Sequence, residues 1–285
     1  MSSVLILSPG PLCTVQDRGR PGYSAIGVGR SGAADVRAHD TANRLVGNQI
    51  GAATLEVTFG GFRIRAQGRV VVAVTGAPAP VTINDTDDGM YCTLVLRDGD
   101  ELSIGTPDSG LRTYLAVRGG IDVEPVLGSR STDTMSELGP RPIAAGDIVP
   151  VGDEYSDWPA AQSAPQSESP GPLRIVLGPR ADWFTDTSVL LTQDWVVTAD
   201  ANRVGVRLDG EIPLQRVGSD ELPSEGMVLG ALQVPPNGKP VAFLADHPVT
   251  GGYPVVGVVH SSDIPRLGQL RPGDTVRFAH VSGSP

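Results

Sequence analysis

The chain of 285 residues is long enough for one large or two ordinary domains, and it carries a net charge of −10 without any basic cluster. We therefore do not expect the protein to bind nucleic acid, because phosphate binding needs several Lys or Arg side chains on one face. No basic patch marks a membrane surface, no apolar run reaches the length of a membrane span, and the N-terminus lacks a signal peptide, so we expect a cytoplasmic protein.

Composition also limits the fold and the chemistry. The 36 glycines, 25 prolines and low aromatic content of 5% favour many short strands joined by tight turns. Cys13 and Cys92 form no CxxC pair, and the four histidines are scattered along the chain, so no metal site is expected.

The first half of the chain is predicted to be mainly β. Residues 14–23 mix charges with turn formers and are expected to be either a solvated loop or a polar site. A Gly-rich connection leads into a helix over residues 35–46, with Ser31 or Asp35 as its N-cap and Gly47 as its terminator. Strands are predicted over residues 4–7, 55–59, 62–66, 70–75, 80–84, 91–97, 101–104 and 113–117. Residues 143–151 are predicted to carry a turn at 146–147 that leads into a last strand.

Two polar segments follow these strands. Residues 128–133 form a hydroxyl-rich turn that either holds an anion or is a capped loop. Residues 153–172 are rich in Pro, Ser, Ala and Gln and nearly lack branched apolar residues, which predicts a linker or an exposed excursion. We therefore expect an N-terminal domain over residues 1–152, this linker, and a C-terminal domain over residues 173–285.

The second half repeats the short-strand pattern. A short helix is predicted over residues 181–191 and a helical or turn segment over residues 264–270. Strands are predicted over residues 173–177, 195–198, 204–208 and 253–260.

Residues 224–256 combine features that suit a binding pocket for a small amide or ureido compound. Lys239 is the only lysine of the chain, Asp246 ends an apolar strand, and a Gly-Gly pair can present backbone N–H groups to an oxyanion. A structural explanation stays open, with a solvated turn lysine and an Asp-capped glycine turn. The catalytic candidates are Asp246 and Lys239, and the substrate-binding candidates are Gln233, Thr250, Gly251, Gly252, Tyr253, Asn202 and Arg203.

Several motifs, spread over nearly the full length, resemble one family. They are TVQDRGRPGY at 14–23, SGAAD at 31–35, YLAVRGGI at 114–121, GSRSTD at 128–133, LQVPPNGKP at 232–240 and TGGYP at 250–254. The chain resembles the biotin-dependent carboxyltransferase family, which includes the C subunit of bacterial 5-oxoprolinase, allophanate hydrolase subunit 2 and the antagonist of a sporulation-kinase inhibitor. It departs from the family pattern at His247, Pro248 and Val249, and at Lys239, where the family often has Gln.

The resemblance implies an all-β fold with a few short helices, arranged as two cyclophilin-like β-barrel domains. It implies a protein that is inactive alone and belongs to an ATP-dependent complex hydrolysing 5-oxo-L-proline to L-glutamate. The implied partners are the A and B subunits of 5-oxoprolinase, the latter similar to allophanate hydrolase subunit 1, and ATP acts at the level of the complex. Two alternatives stay open: a carboxyltransferase acting on urea or a related amide with biotin carried by a partner, and a regulatory protein that binds a relative of the B subunit.

Overall fold

Antiparallel strand pairing dominates the computed structural model, which describes residues 2–159, 161–166, 171–218 and 221–282. The chain divides into two compact units. Unit 1 comprises Met1–Arg20, Ser31–Asp133 and Glu137–Ser167, and unit 2 comprises Pro21–Arg30, Thr134–Ser136 and Glu168–Pro285.

Unit 1 is a pair of β-sheets with one helix. Its strands are β1 Ser3–Pro9, β2 Leu12–Gln16, β3 Thr54–Thr58, β4 Phe62–Gln67, β5 Val70–Gly76, β6 Val81–Ile83, β7 Thr86–Asp88, β8 Leu94–Leu96, β9 Glu101–Ile104, β10 Arg112–Val117 and β11 Ile148–Pro150. Over the described residues, one sheet has the order β11-β1-β4-β9-β6-β7 and the other has the order β2-β3-β10-β5-β8. Side chains of both sheets, such as Ile6 and Leu55, share one buried apolar cluster, so the core of unit 1 lies between the sheets.

The helix of unit 1, α1 Val36–Val46, covers the opposite face of the second sheet. It begins where the Asp35 carboxylate accepts a hydrogen bond from Ala38 N, and it ends at Gly47 in the left-handed conformation. Both ends match the sequence prediction, because capping is a local signal. The second sheet also buries two polar side chains, Gln16 and Glu56.

Unit 2 is built mainly from one sheet. Its strands are β12 Leu173–Leu177, β13 Trp195–Val197, β14 Gly205–Asp209, β15 Glu225–Gly226, β16 Ala231–Gln233, β17 Val241–Phe243, β18 Thr250–Gly251, β19 Val255–Val259, β20 Thr275–Val276 and β21 Phe278–His280, and its helices are α2 Val189–Thr192 and α3 Ile264–Leu267. Within the described part of unit 2, the main sheet has the order β20-β13-β14-β17-β16-β19-β12-β21, and β15 pairs separately with β18.

The order of the main sheet shows that it is almost closed. Its two outermost strands, β20 and β21, are separated in sequence by Arg277 alone, so the chain itself brings the two edges together. The side chains facing inward, among them Trp195, Leu232 and Val256, form the apolar core of the unit. The predicted class, mainly β with a few short helices, is confirmed.

Some predicted elements are wrong in extent. Residues 181–191 do not form one helix, because Phe184 is extended and bridges Arg216, which leaves a 3₁₀ turn at Ala181–Trp183 and the separate helix α2. The predicted strand over residues 91–97 shortens to β8 because Tyr91 has a φ of 57°.

Part of the predicted linker packs on unit 1. The ring of Tyr155 lies 4.8 Å and that of Trp158 lies 4.0 Å from the guanidinium carbon of Arg118. The same guanidinium donates a hydrogen bond through Nη1 to Val46 O. The remaining part of that prediction includes Ala160 and residues 167–170, which lie outside the described residues. In the part of the chain that the structure describes, no helix has the length and apolar character of a membrane span.

Candidate functional site

Asp246 lies in the turn that follows β17. Backbone pairing with the segment before β14 continues past the strand, because Leu244 N donates to Val204 O at 2.9 Å and Asp246 N donates to Arg203 O at 3.0 Å. The side chains of Asp246 and Arg203 therefore meet inside unit 2.

The carboxylate of Asp246 is engaged on both oxygens. Its Oδ1 accepts from Nη2 of Arg203 and its Oδ2 from Nε, both at 2.9 Å. Oδ2 also accepts from the backbone N of Thr134 at 2.9 Å and from its hydroxyl at 2.7 Å, and Thr134 belongs to the same unit. Both side chains of the ion pair are buried, with 1% and 0% of their surfaces exposed.

This environment keeps Asp246 ionised. Burial alone would raise the pKa of the carboxyl. The charge and hydrogen bonds of Arg203 and the hydrogen bonds of Thr134 outweigh the effect of burial and hold the pKa below the usual aspartate value. A carboxylate with these partners is poorly placed to take a proton from a substrate. Its geometry is that of a residue that positions Arg203 and the Thr134 segment.

Lys239 has a different environment. Its ammonium pairs with Asp209 Oδ1 at 2.8 Å, and 42% of the lysine side chain is exposed. The hydrogen bond from Lys239 lowers the pKa of the Asp209 carboxyl. The structure thus gives Lys239 and Asp246 separate ion-pair partners, and a shared catalytic role for the two stays a prediction.

A small pocket in unit 2 gathers three of the predicted substrate-binding residues. It has a volume of about 230 Å³, and Asn202, Gln233 and Tyr253 line it together with Arg207 and Phe243. Asn202 Oδ1 accepts from the backbone N–H groups of the residues two and three positions later, so its amide nitrogen remains as a donor. The pocket therefore combines side-chain amides, a phenol and a guanidinium.

Gly251 of β18 approaches the side chain of Gln233, one of the residues that line this pocket. Gln233 Nε2 donates to Tyr253 O at 3.2 Å, and any Cβ at Gly251 would collide with that nitrogen. Glycine is needed here for the close approach of the Gln233 amide. From the sequence, the glycine pair was expected to present backbone N–H groups to an oxyanion. The close packing of Gly251 against the Gln233 amide was not predicted.

A larger cleft of about 830 Å³ shares Tyr253 with the small pocket. Gly252 and Asn237 line it, as do the oppositely charged side chains of Arg216 and Glu221. Four of the predicted substrate-binding residues thus line one or both of two cavities that share Tyr253. Thr250 and Gly251 line neither cavity and lie on β18, and Arg203 lies in the ion pair with Asp246.

No site residue was predicted in unit 1, although the sequence motifs at 14–23 and 128–133 meet there. The carboxylate of Asp17 accepts from Ser129 Oγ at 2.7 Å, Ser131 Oγ at 2.5 Å and Arg130 N at 2.6 Å. The two motifs therefore share one buried polar cluster around Asp17. Each segment is recognisable as polar from its own residues. The contact between them joins residues more than a hundred positions apart, so no local sequence pattern predicts it.

A second buried polar group lies under α1. Tyr114 donates its hydroxyl to Glu56 Oε2 at 2.7 Å and accepts from Asp35 N at 2.7 Å. Burial, followed by the neighbouring carboxylates of Glu56 and Asp35, raises the pKa of Tyr114. The phenol therefore stays neutral and serves as a fixed donor.

Among the residues that the structure describes, no group of three or more His, Cys, Asp or Glu side chains could hold a metal ion.

The sequence is similar to proteins of two named activities. It is 36% identical to the C subunit of Escherichia coli 5-oxoprolinase over 282 residues, which cover 97% of this chain and 91% of that protein. It is 33% identical to urea amidolyase of Lachancea kluyveri, again over 97% of this chain but only 17% of that protein.

The fold shows the same relationship. The structure of Kluyveromyces lactis urea amidolyase matches with a TM-score of 0.91 and 32% identity, covering 98% of this chain and 19% of that chain. The sequence also matches the family described as carboxyltransferase domain, subdomain A and B, over residues 26–280. The chain therefore belongs to the carboxyltransferase domain family.

Proposed function

We propose that this chain is one component of an ATP-dependent 5-oxoprolinase complex that hydrolyses 5-oxo-L-proline to L-glutamate. The observation that carries the proposal is the similarity to the C subunit of the E. coli enzyme, which extends over almost the whole of both chains. We expect the chain to act in the cytoplasm and to be inactive without its A and B subunits.

The small pocket of unit 2 suits this substrate. 5-Oxoproline is a five-membered lactam with one carboxylate, and a pocket of about 230 Å³ lies below the range usual for drug-sized ligands. We assign the guanidinium of Arg207 to the carboxylate and the amides of Gln233 and Asn202 to the ring N–H and C=O. Each pairing gives a polar group of the substrate a hydrogen-bond partner, and the pairing of its carboxylate with the guanidinium is charge-assisted.

We assign positioning roles to two further groups. Asp246 fixes Arg203, the residue next to Asn202, and so sets the edge of the small pocket. Gly251 leaves room for the amide of Gln233. Lys239 supports the surface of unit 2 through its pair with Asp209.

We assign ATP to the partner proteins. A triphosphate needs several backbone or cationic donors. The larger cleft is lined by one guanidinium, that of Arg216, and also by the carboxylate of Glu221, which would repel a phosphate. This donor set does not fit a triphosphate.

A second candidate is carboxyl transfer to urea or a related amide, favoured by the similarity to urea amidolyase in sequence and fold. Biotin would then be carried by a partner. The chain has one lysine, Lys239, which is flanked by Gly and Pro and pairs with Asp209, so it does not offer a biotin acceptor.

The test is steady-state kinetics of the complex assembled from this chain with its A and B subunits. Gln233→Leu should raise the KM for 5-oxoproline roughly two- to tenfold, the range expected for losing one neutral hydrogen bond. Gln215→Leu is the matched control, because Gln215 lines the larger cleft and not the small pocket.

The two candidates give opposite results in this assay. ATP-dependent glutamate release that is sensitive to Gln233→Leu supports the oxoprolinase assignment. Turnover of urea in the presence of a biotinylated partner, with no release of glutamate, refutes it. An unchanged KM in Gln233→Leu refutes the pocket assignment.

A further inference from the structure

The larger cleft of unit 2 has no part in the proposed binding of 5-oxoproline. Its volume of about 830 Å³ lies within the range usual for ligand sites, whereas 5-oxoproline is assigned to the pocket of about 230 Å³. The two cavities share Tyr253, of which 43% is exposed. A compound in the small pocket therefore has the larger cleft beside it.

Two segments that line the larger cleft are held together by their backbones. Leu214 N donates to Gly238 O at 2.9 Å, and Gly238 N donates to Pro235 O at 3.0 Å. Gly238 has a φ of 73°, and a Cβ there would lie 2.7 Å from Leu214 O. This side of the cleft is therefore formed before any ligand binds, which lowers the ordering cost of binding.

The cleft presents side chains of both charges. Among the described residues that line it, Arg216 is the one cation and Glu221 is the one anion. Asn237 also lines the cleft, and its Oδ1 accepts from the backbone N of Lys239 at 3.1 Å, so its amide N–H groups remain as donors. An anion would be repelled by Glu221 and a cation by Arg216, whereas a compound that carries both charges can pair with each.

We propose that the larger cleft binds a small zwitterion with an ammonium group and a carboxylate, and that L-glutamate, the product of the proposed reaction, is this ligand. Arg216 pairs with one carboxylate and Glu221 with the ammonium group. The amide N–H groups of Asn237 donate to the second carboxylate. The identity of the ligand rests on the proposed function, because that reaction supplies L-glutamate next to the cleft.

Ring opening creates the charge that distinguishes the product from the substrate. Hydrolysis breaks the C–N bond of the lactam. The carbonyl carbon takes the oxygen of water and becomes a carboxylate, and the nitrogen becomes an ammonium group. 5-Oxoproline has only a neutral ring N–H and offers no cation to Glu221, so the larger cleft should bind the product more tightly than the substrate.

The experiment titrates the full chain with L-glutamate, glutarate or 5-oxoproline at one pH and ionic strength. Glutarate keeps the carbon chain and both carboxylates of glutamate and lacks only the ammonium group. Dissociation constants are measured by saturation-transfer NMR and by tryptophan fluorescence, because the guanidinium carbon of Arg216 lies 5.6 Å from the ring centre of Trp183. L-Glutamate should bind about tenfold or more tightly than glutarate or 5-oxoproline, as expected for one hydrogen bond between charged groups.

Three variants locate the binding site. Glu221→Gln removes the anion from an exposed side chain and should abolish the preference for L-glutamate over glutarate. Glu211→Gln is the matched control, because Glu211 is also exposed and lines neither of the two cavities. Arg216→Gln should weaken L-glutamate and glutarate alike, since both ligands offer a carboxylate to the guanidinium.

Equal dissociation constants of L-glutamate and glutarate would overturn the proposal, and so would the absence of any binding of L-glutamate. A preference for L-glutamate that persists in Glu221→Gln, or is lost equally in Glu211→Gln, would exclude the larger cleft as its source. Failure of the proposed function is read separately, from glutamate release by the assembled complex. Release without binding to the cleft overturns only the binding site, and binding without release refutes only the proposed function.

Discussion

Replacing Asp246 by Asn removes the negative charge from a buried ion pair and keeps the side-chain shape. The guanidinium of Arg203 then stays buried without a counter-charge. The N–H groups of the new amide face N–H or O–H donors of Arg203 or Thr134 and cannot bond to them. Breaking one side of a buried pair costs about 3–5 kcal/mol. With a urea m-value of about 2–3 kcal/mol/M, the unfolding midpoint should fall by about 1–2.5 M.

The assay is urea unfolding followed by fluorescence, with turnover of the assembled complex measured in parallel. Asp209→Asn is the control, because the pair with Lys239 is exposed and solvent screens it, so the midpoint should hardly move. The double variant Arg203→Leu/Asp246→Leu should be less destabilised than the single changes add up to. A wild-type midpoint in Asp246→Asn together with lost turnover would refute the positioning role and favour the predicted catalytic one.

Three other outcomes are expected. Gly251→Ala should displace the amide of Gln233 and raise the KM for 5-oxoproline to the same extent as Gln233→Leu, measured in the assembled complex. Thermal stability should fall as the pH drops below about 5, because the pKa of Asp246 is lowered in the folded protein and the ionised carboxylate stabilises the fold until it is protonated. The melting temperature of Asp246→Asn should depend less steeply on pH. Tyr114→Phe should lower the free energy of unfolding of unit 1 by about 1–3 kcal/mol, measured in urea, because Glu56 loses a buried donor.

Each of these outcomes has a control and a contrary result. Gly226→Ala adds a methyl group in open space on the paired strand and should leave the KM unchanged; a KM unchanged in Gly251→Ala as well would contradict the packing argument. Parallel pH curves for the wild type and Asp246→Asn would exclude Asp246 as the source of acid sensitivity. Tyr91→Phe removes a half-buried hydroxyl and should cost less than Tyr114→Phe; the reverse order would contradict the role of Tyr114.

The elements that could be predicted from the sequence are those with local signals. Helix α1 is predictable almost to the residue, because its N-cap at Asp35 and its terminating Gly47 lie within the segment itself. The short strands follow from apolar runs between turn residues. The helix predicted over residues 181–191 is wrong because Phe184 pairs with Arg216, a contact that no local pattern reveals.

The candidate site could be predicted only in part, for the same reason. Gln233 and Tyr253 lie close together in sequence, and the structure places them on one pocket. The partners of Asp246 come from elsewhere in the chain, and Thr134 is 112 residues away. A strand-terminal aspartate suggests a base when it is viewed alone, and its long-range partners, Arg203 and Thr134, could not be read from the sequence.

The central claim is that this chain completes a 5-oxoprolinase. The most direct measurement is glutamate formed from 5-oxoproline and ATP by the A and B subunits, with and without the purified chain. We expect no glutamate from the chain alone and a clear gain in glutamate when the chain joins the A and B subunits. Full activity of the A and B subunits without this chain would contradict the claim.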